Sequence, residues 1–120
     1  MEYFFDSSAI LEIIGKNESF SKFQGALLLT NTLNLSEVHN VLLRAHNEQT
    51  ADYWAAHLNF YFLQITPEIA IEASKFKHKN KKENLSYADC IGYITSLKNN
   101  LKFLTGEKKF IYKPGVEFLE

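Results

Sequence analysis

Short runs of bulky apolar residues alternate along this chain with stretches whose apolar positions recur every three or four residues. Tyr3-Phe4-Phe5 predicts a buried strand, and Asp6-Ser7-Ser8 follows at its carboxyl end. Ala9, Ile10, Ile13 and Ile14 then fall at helical spacing, with Gly15 as a stop signal. Residues 17–23 predict a second short helix and residues 26–29 a second strand. Asn34-Leu35-Ser36-Glu37 has the form of a capping box, so a helix is expected to open there. Leu35, Val38, Leu42 and Ala45 would be its buried stripe. Glu37, Asn40 and Arg44 share another, polar face.

The second half repeats the alternation. Residues 51–60 predict a helix rich in aromatic rings and residues 62–65 a strand. Thr66-Pro67-Glu68 is a strong helix start, with Ile69, Ala73 and Phe76 facing the core. Ser86-Tyr87-Ala88-Asp89 opens a further helix, expected to turn Tyr87, Ile91 and Ile94 inward and to keep Asp89, Gly92 and Ser96 on a small-residue face. Glycine inside a helix costs about 1 kcal/mol relative to alanine, so Gly92 predicts close approach of another group. Residues 102–105 predict a strand that ends at Gly106-Glu107, and residues 116–119 an edge strand. Strands alternating with helices give an α/β class. The expected architecture is a three-layer α/β/α sandwich on a mainly parallel central sheet, formed by residues 1–120 as one domain.

Composition narrows the class of function. At 46% hydrophobic and 14% aromatic the chain has the makings of a packed core. Its apolar runs fall far below the roughly 18 residues of a membrane helix, so no membrane partner is expected. A single cysteine, Cys90, and no recognisable leader point to a cytoplasmic location. Formal net charge is −1, yet ten of the 13 Lys and Arg residues lie between Lys75 and Lys113. The run over residues 75–82 is either a solvated helix end or a nucleic-acid contact.

The acids carry the chemistry. Asp6 and Glu107 stand just past strands, and Glu37 and Asp89 in the first turns of predicted helices. In a doubly wound fold those positions share one edge of the sheet, so the four carboxylates can converge. Each has an ordinary alternative: Asp6 as a helix cap, Glu37 and Asp89 as capping-box partners, Glu107 as a turn acid. Carboxylates forced together repel, and a cation relieves the conflict. An all-oxygen set suits Mg²⁺ or Mn²⁺. His39, His46, His57 and His78 show no ligand spacing. A receiver-like phosphoacceptor domain would need adjacent acids after an early strand. A haloacid-dehalogenase-type phosphatase would need a second Asp where Ser8 stands.

Tyr3 to Ala9, Ser36-Glu37-Val38, Leu85 to Cys90 and Phe103 to Phe110 together resemble the successive signatures of PIN domains, particularly the VapC-type toxin ribonucleases. The resemblance covers essentially the whole chain. It implies metal-dependent hydrolysis of RNA phosphodiesters, with transfer RNA or another structured RNA as substrate. It also implies a protein antitoxin that blocks the site, and a homodimer. Asp6, Glu37 and Asp89 would be the metal-binding acids, and Glu107 the fourth, where the family commonly has Asp. Ser8 is a candidate to orient Asp6 or to bind a water in the substrate site, with a helix N-terminal hydroxyl as its ordinary alternative, and Arg44 and Lys108 are candidate contacts to RNA phosphate. Two alternatives stay open: a PIN-like binding module with weakened catalysis, and a PIN nuclease of RNA processing rather than a toxin. The rings of Tyr53, Trp54, Phe60, Tyr61 and Phe62 are either core or a surface for a second subunit or an antitoxin.

Overall fold

The computed structural model describes residues 2–15, 23 and 25–119. The helix expected over residues 17–23 lies outside the described residues apart from Phe23. Tyr3–Phe5 forms strand β1 and Ser7–Ile14 helix α1. Leu28–Thr30 (β2), Thr32–Ala45 (α2), Glu48–His57 (α3) and Phe60–Phe62 (β3) follow. Pro67–Lys79 is α4, Tyr87–Lys98 α5, Lys102–Thr105 β4 and Val116–Phe118 β5.

The five strands form one sheet in the order β3-β2-β1-β4-β5, every neighbouring pair parallel. Strand alternation sends successive side chains to opposite faces, and the sheet is covered on both. Phe4 and Phe103 point to one face, where they pack with Ile69 and Ala73 of α4 and Cys90, Tyr93 and Ile94 of α5. Phe5, Leu28 and Leu104 point to the other, against Ala9, Ile10 and Ile13 of α1, Val38 and Leu42 of α2, and Ala51 of α3. The expected three-layer sandwich is therefore present, with two cores separated by one sheet. Each fully buried Phe or Leu removes enough apolar surface to contribute about 2 kcal/mol.

Several element boundaries differ from the sequence-based expectation. Helix α2 begins five residues before Glu37, because Asn31 caps it by accepting from the Asn34 amide at 2.9 Å. Glu37 thus lies in the second turn, and a capping-box role for it is removed. Strand β3 sits at residues 60–62 rather than 62–65, and α3 stops at His57. On α5 the inward face is broader than a single stripe, since the helix is covered by both the sheet and α4. Tyr87, expected inside, is 60% exposed, whereas Cys90, Gly92, Tyr93 and Ser96 are buried.

Gly92 does admit a close approach. A Cβ there would stand 3.0 Å from the Phe4 ring and 3.1 Å from the Phe103 ring. The absence of a side chain lets α5 settle onto β1 and β4. No described helix is long and apolar enough to cross a membrane.

Candidate active site: an acidic pocket at the switch point of the sheet

Strand β1 is followed by α1, which leads to β2 on one side, while β4 joins β1 on the other. Chain connections diverge between β1 and β4, and a crevice opens outside their carboxyl ends. Asp6 stands at the end of β1 and Gly106-Glu107 just past the end of β4. The crevice is a pocket of about 320 Å³ lined by Asp6, Ser7, Ser8, Leu11, Glu37, Val41, Asp89, Gly106 and Glu107. All four acids singled out from the sequence meet there, carried by two strand ends and two helices.

Asp6 is the fixed member. It caps α1, with Oδ1 accepting from the Ala9 amide at 2.9 Å and from Ser8 Oγ at 2.6 Å. Its Oδ2 accepts from Thr105 Oγ1. Both hydroxyls are themselves held by the loop after β4. Gly106 N donates to Ser8 Oγ at 2.8 Å, and Glu107 N to Thr105 Oγ1 at 2.9 Å. Two backbone N–H groups are thus relayed through two hydroxyls onto the two oxygens of one carboxylate. Ser8 Oγ thus stands between Asp6 Oδ1 and the Gly106 amide. Thr105, the last residue of the strand expected over residues 102–105, has no role in the sequence reading, and its position immediately before Gly106 is the signal that could have found it.

Glu37 is half-buried and tied to α1: Ser7 Oγ lies 2.6 Å from Glu37 Oε1 and 2.7 Å from Asn34 Oδ1. One hydroxyl has one proton, and Asn34 Oδ1 already accepts the Ser7 amide at 3.0 Å, so the Ser7 proton is free to go to Glu37. Asn34 in turn donates from Nδ2 to Asn31 Oδ1 at 2.9 Å. Ser7, Asn31 and Asn34 are the positioning residues that periodicity alone did not mark.

Asp89 is the third residue of α5, behind the Ser86 cap that accepts its amide at 3.1 Å. Burial pushes its carboxyl up to about 6; the Ser86 hydroxyl opposes this, and the charges of Asp6, Glu37 and Glu107 add to it. Asp6 is also raised, first by burial and lastly by Glu37, against the hydrogen bonds from Ser8, Thr105 and Ala9. Glu107 caps its own short turn at Lys108–Phe110, with Oε1 accepting from Lys109 N at 3.1 Å.

Arg44 lies in the last turn of α2, about 10 Å along the helix from Glu37, exposed and outside the pocket lining. Lys108 is exposed on the turn after Glu107 and does not line the pocket either. Among the described residues, no three His, Cys, Asp or Glu side chains converge closely enough to chelate one ion as they stand. Asp6 is pinned, while Glu37 and Glu107 have longer arms. The donor set itself is carboxylate and hydroxyl oxygen, the kind a hard divalent cation takes, and among the described residues no cationic side chain lines the pocket to neutralise it.

The family model described as PIN domain matches residues 3–115. Among curated proteins no relative matches. Among solved structures, a toxin–antitoxin complex from Klebsiella pneumoniae aligns with a TM-score of 0.74 at 19% identity, covering 97% of this chain and 96% of that one. VapC20 of Mycobacterium tuberculosis, a toxin that cleaves the sarcin-ricin loop, aligns at 0.70 and 17%, covering 84% and 85%. VapBC2 of Rickettsia felis, bound to a DNA fragment from its promoter, aligns at 0.70 and 11%, covering 99% and 98%. At these identities the likeness to the three structures is one of fold.

Proposed function

The chain belongs to the PIN domain family, and from that membership and its acidic pocket we propose that it is a divalent-metal-dependent ribonuclease, the toxin of a VapBC-type toxin–antitoxin pair. The observation that carries the reading is the meeting of Asp6, Glu37, Asp89 and Glu107 in one pocket at the switch point of the sheet. Four carboxylates line this pocket, burial raises the proton affinity of Asp6 and Asp89, and among the described residues no cationic side chain joins them, so the site calls for external positive charge.

Mg²⁺ or Mn²⁺, when bound, would supply that charge together with Lewis acidity toward a phosphodiester and its attacking water. Asp6 serves as the rigid ligand, because Ser8 and Thr105 fix both of its oxygens. Asp89 enters from α5 and is ionised above a pH of about 6. Glu37 would approach from α2, with Ser7 holding its Oε1. Glu107 reaches one methylene further than the aspartate common at this position, and it acts directly or through water from the loop after β4.

An antitoxin partner is supported by the toxin–antitoxin complexes with which the fold aligns. A homodimer is supported by rings that a single chain leaves uncovered, since Tyr53, Tyr61 and Phe62 are all exposed. Trp54 and Phe60, by contrast, pack against the α1–α3 side of the core. A weakened-catalysis reading has one observation in its favour, the engagement of Glu107 in capping its own turn. Purified protein freed of any partner, assayed on structured RNA with Mn²⁺, separates the readings. Cleavage by the wild-type chain that falls at least about 100-fold in Asp6→Asn is expected for a nuclease. No cleavage by the wild-type chain, or equal cleavage by the variant, contradicts it.

A further inference from the structure

A second pocket, of about 280 Å³, opens beside α4 and the start of α5 and is lined by Ser74, Lys77, His78, Lys81, Asn84 and Tyr87. Among the described residues no carboxylate lines it. We propose that this pocket holds the RNA strand next to the acidic pocket, with an unpaired nucleobase stacked on Tyr87 and an adjoining phosphate against Lys81 and His78. The inference rests on the nuclease reading and adds to it a requirement for an unpaired nucleotide beside the bond that is cut.

The Tyr87 ring is a prepared platform. It is 60% exposed, a state in which a tyrosine would ordinarily sample several rotamers. Here the Lys77 ammonium stands 5.0 Å from the ring centroid, and the same ammonium donates to the Leu85 carbonyl. One face of the ring therefore carries a tethered cation, and the 60% exposure of Tyr87 leaves surface for a base. Aromatic faces beside lysines are the arrangement by which proteins hold single strands without reading a sequence, because every base has a π-face.

Both pockets border the start of α5: Tyr87 and Asp89 stand about 3 Å apart along its axis and on different sides of the helix, Tyr87 lining one pocket and Asp89 the other. Lys109 links the sides: its Nζ donates to the Asn84 carbonyl at 3.1 Å, and its amide donates to Glu107 Oε1 at 3.1 Å. A strand whose phosphate enters a pocket of four acids needs cations nearby to offset the repulsion. Some lysines of this half are committed elsewhere, Lys98 to Glu68 and Glu72 and Lys113 to Glu83. Lys81 instead lines the pocket and is exposed. A docked protein helix would want an apolar groove, and apart from the tyrosine ring this lining is polar.

Binding of a short fluorescent single-stranded RNA, followed by anisotropy in EDTA so that no cleavage intervenes, tests the assignment. Tyr87→Ala is expected to weaken binding roughly 5- to 100-fold, the range that base–aromatic stacking covers, while Tyr87→Phe binds as the wild type. Lys81→Ala should weaken binding and lower the slope of log affinity against log salt by roughly one. The same sequence presented as a duplex should compete poorly. Lys81→Ala and the duplex competition keep the test decisive if Tyr87→Ala folds badly. Wild-type affinity in both Tyr87→Ala and Lys81→Ala overturns the proposal, as does an absence of RNA binding by the wild-type chain. Loss of a protein partner by these variants with RNA affinity unchanged overturns it too and makes the pocket a protein-docking site. Because EDTA removes catalysis, tyrosine-dependent binding without cleavage in Mn²⁺ would retire the nuclease reading and leave the pocket standing.

Discussion

Thr105 shows how much of this site depends on hydroxyls rather than on the acids alone. Its Oγ1 donates to Asp6 and accepts from the Glu107 amide, so one atom couples the two strand ends. Thr105→Val keeps the shape and removes both bonds. Metal affinity in that variant should fall 10- to 100-fold, the usual cost of losing an outer hydrogen bond to a ligand, measurable as the Mn²⁺ concentration for half-maximal cleavage. Asp89 supplies a pH signature. Its folded carboxyl holds a proton up to about 6, against 3.8 for the unfolded chain. Below about pH 4 both states are protonated. As pH rises from there to about 6 the unfolded state loses its proton first, so the metal-free fold becomes less stable with rising pH. Thermal melts in EDTA should show a falling midpoint across that window, with a smaller fall in Asp89→Asn. Mn²⁺ should reverse the trend, since it binds the ionised form. The acids were legible from their places after strands and near helix starts. Ser7, Asn31 and Asn34 were not, because a hydroxyl or amide that serves a neighbour three to thirty residues away leaves no periodic trace.

At the scale of elements, the strands and helices that aim the acids were readable where a single signal dominated. Thr66-Pro67 starts α4 at the expected residue, with Thr66 accepting from the Ile69 amide at 3.2 Å. The start of α2 was misplaced because Asn31 and Asn34 both have cap chemistry, and only the extended backbone at Asn31 decides between them. The inward face of α5 was misjudged for another reason: a helix covered on two sides buries small residues as readily as large ones. Gly92 tests that packing. Gly92→Ala gains about 1 kcal/mol of helix propensity, but its methyl meets two fully buried rings at 3.0 and 3.1 Å. Overpacking of 1–3 kcal/mol should win, leaving a net loss of about 1 kcal/mol and a melting midpoint several degrees lower by calorimetry. A more stable variant would mean that the contact of α5 with β1 and β4 is looser than described.

Across the whole molecule, charge is divided rather than absent. The sum of −1 hides four acids around one pocket and ten basic residues between Lys75 and Lys113. RNA cleavage should therefore slow with added salt although the chain is nearly neutral overall, because local phosphate contacts set the dependence. The parallel sheet and its two cores were legible from the alternation of runs. The uses of the exposed rings on α3 and β3 were not, since exposure in one chain does not say what covers it. If Tyr53, Tyr61 and Phe62 lie at a subunit contact, light scattering should give twice the chain mass, and Tyr61→Glu should halve it.

A crystal of the partner-free protein soaked in Mn²⁺, with anomalous differences recorded, shows whether the carboxylates at the switch point hold a divalent cation. A peak is expected in the pocket within about 2.0–2.5 Å of an Asp6 oxygen and of at least one oxygen from Glu37 or Asp89. Well-formed density for all four acids with no peak among them, or a peak only elsewhere on the molecule, would contradict a metal site there.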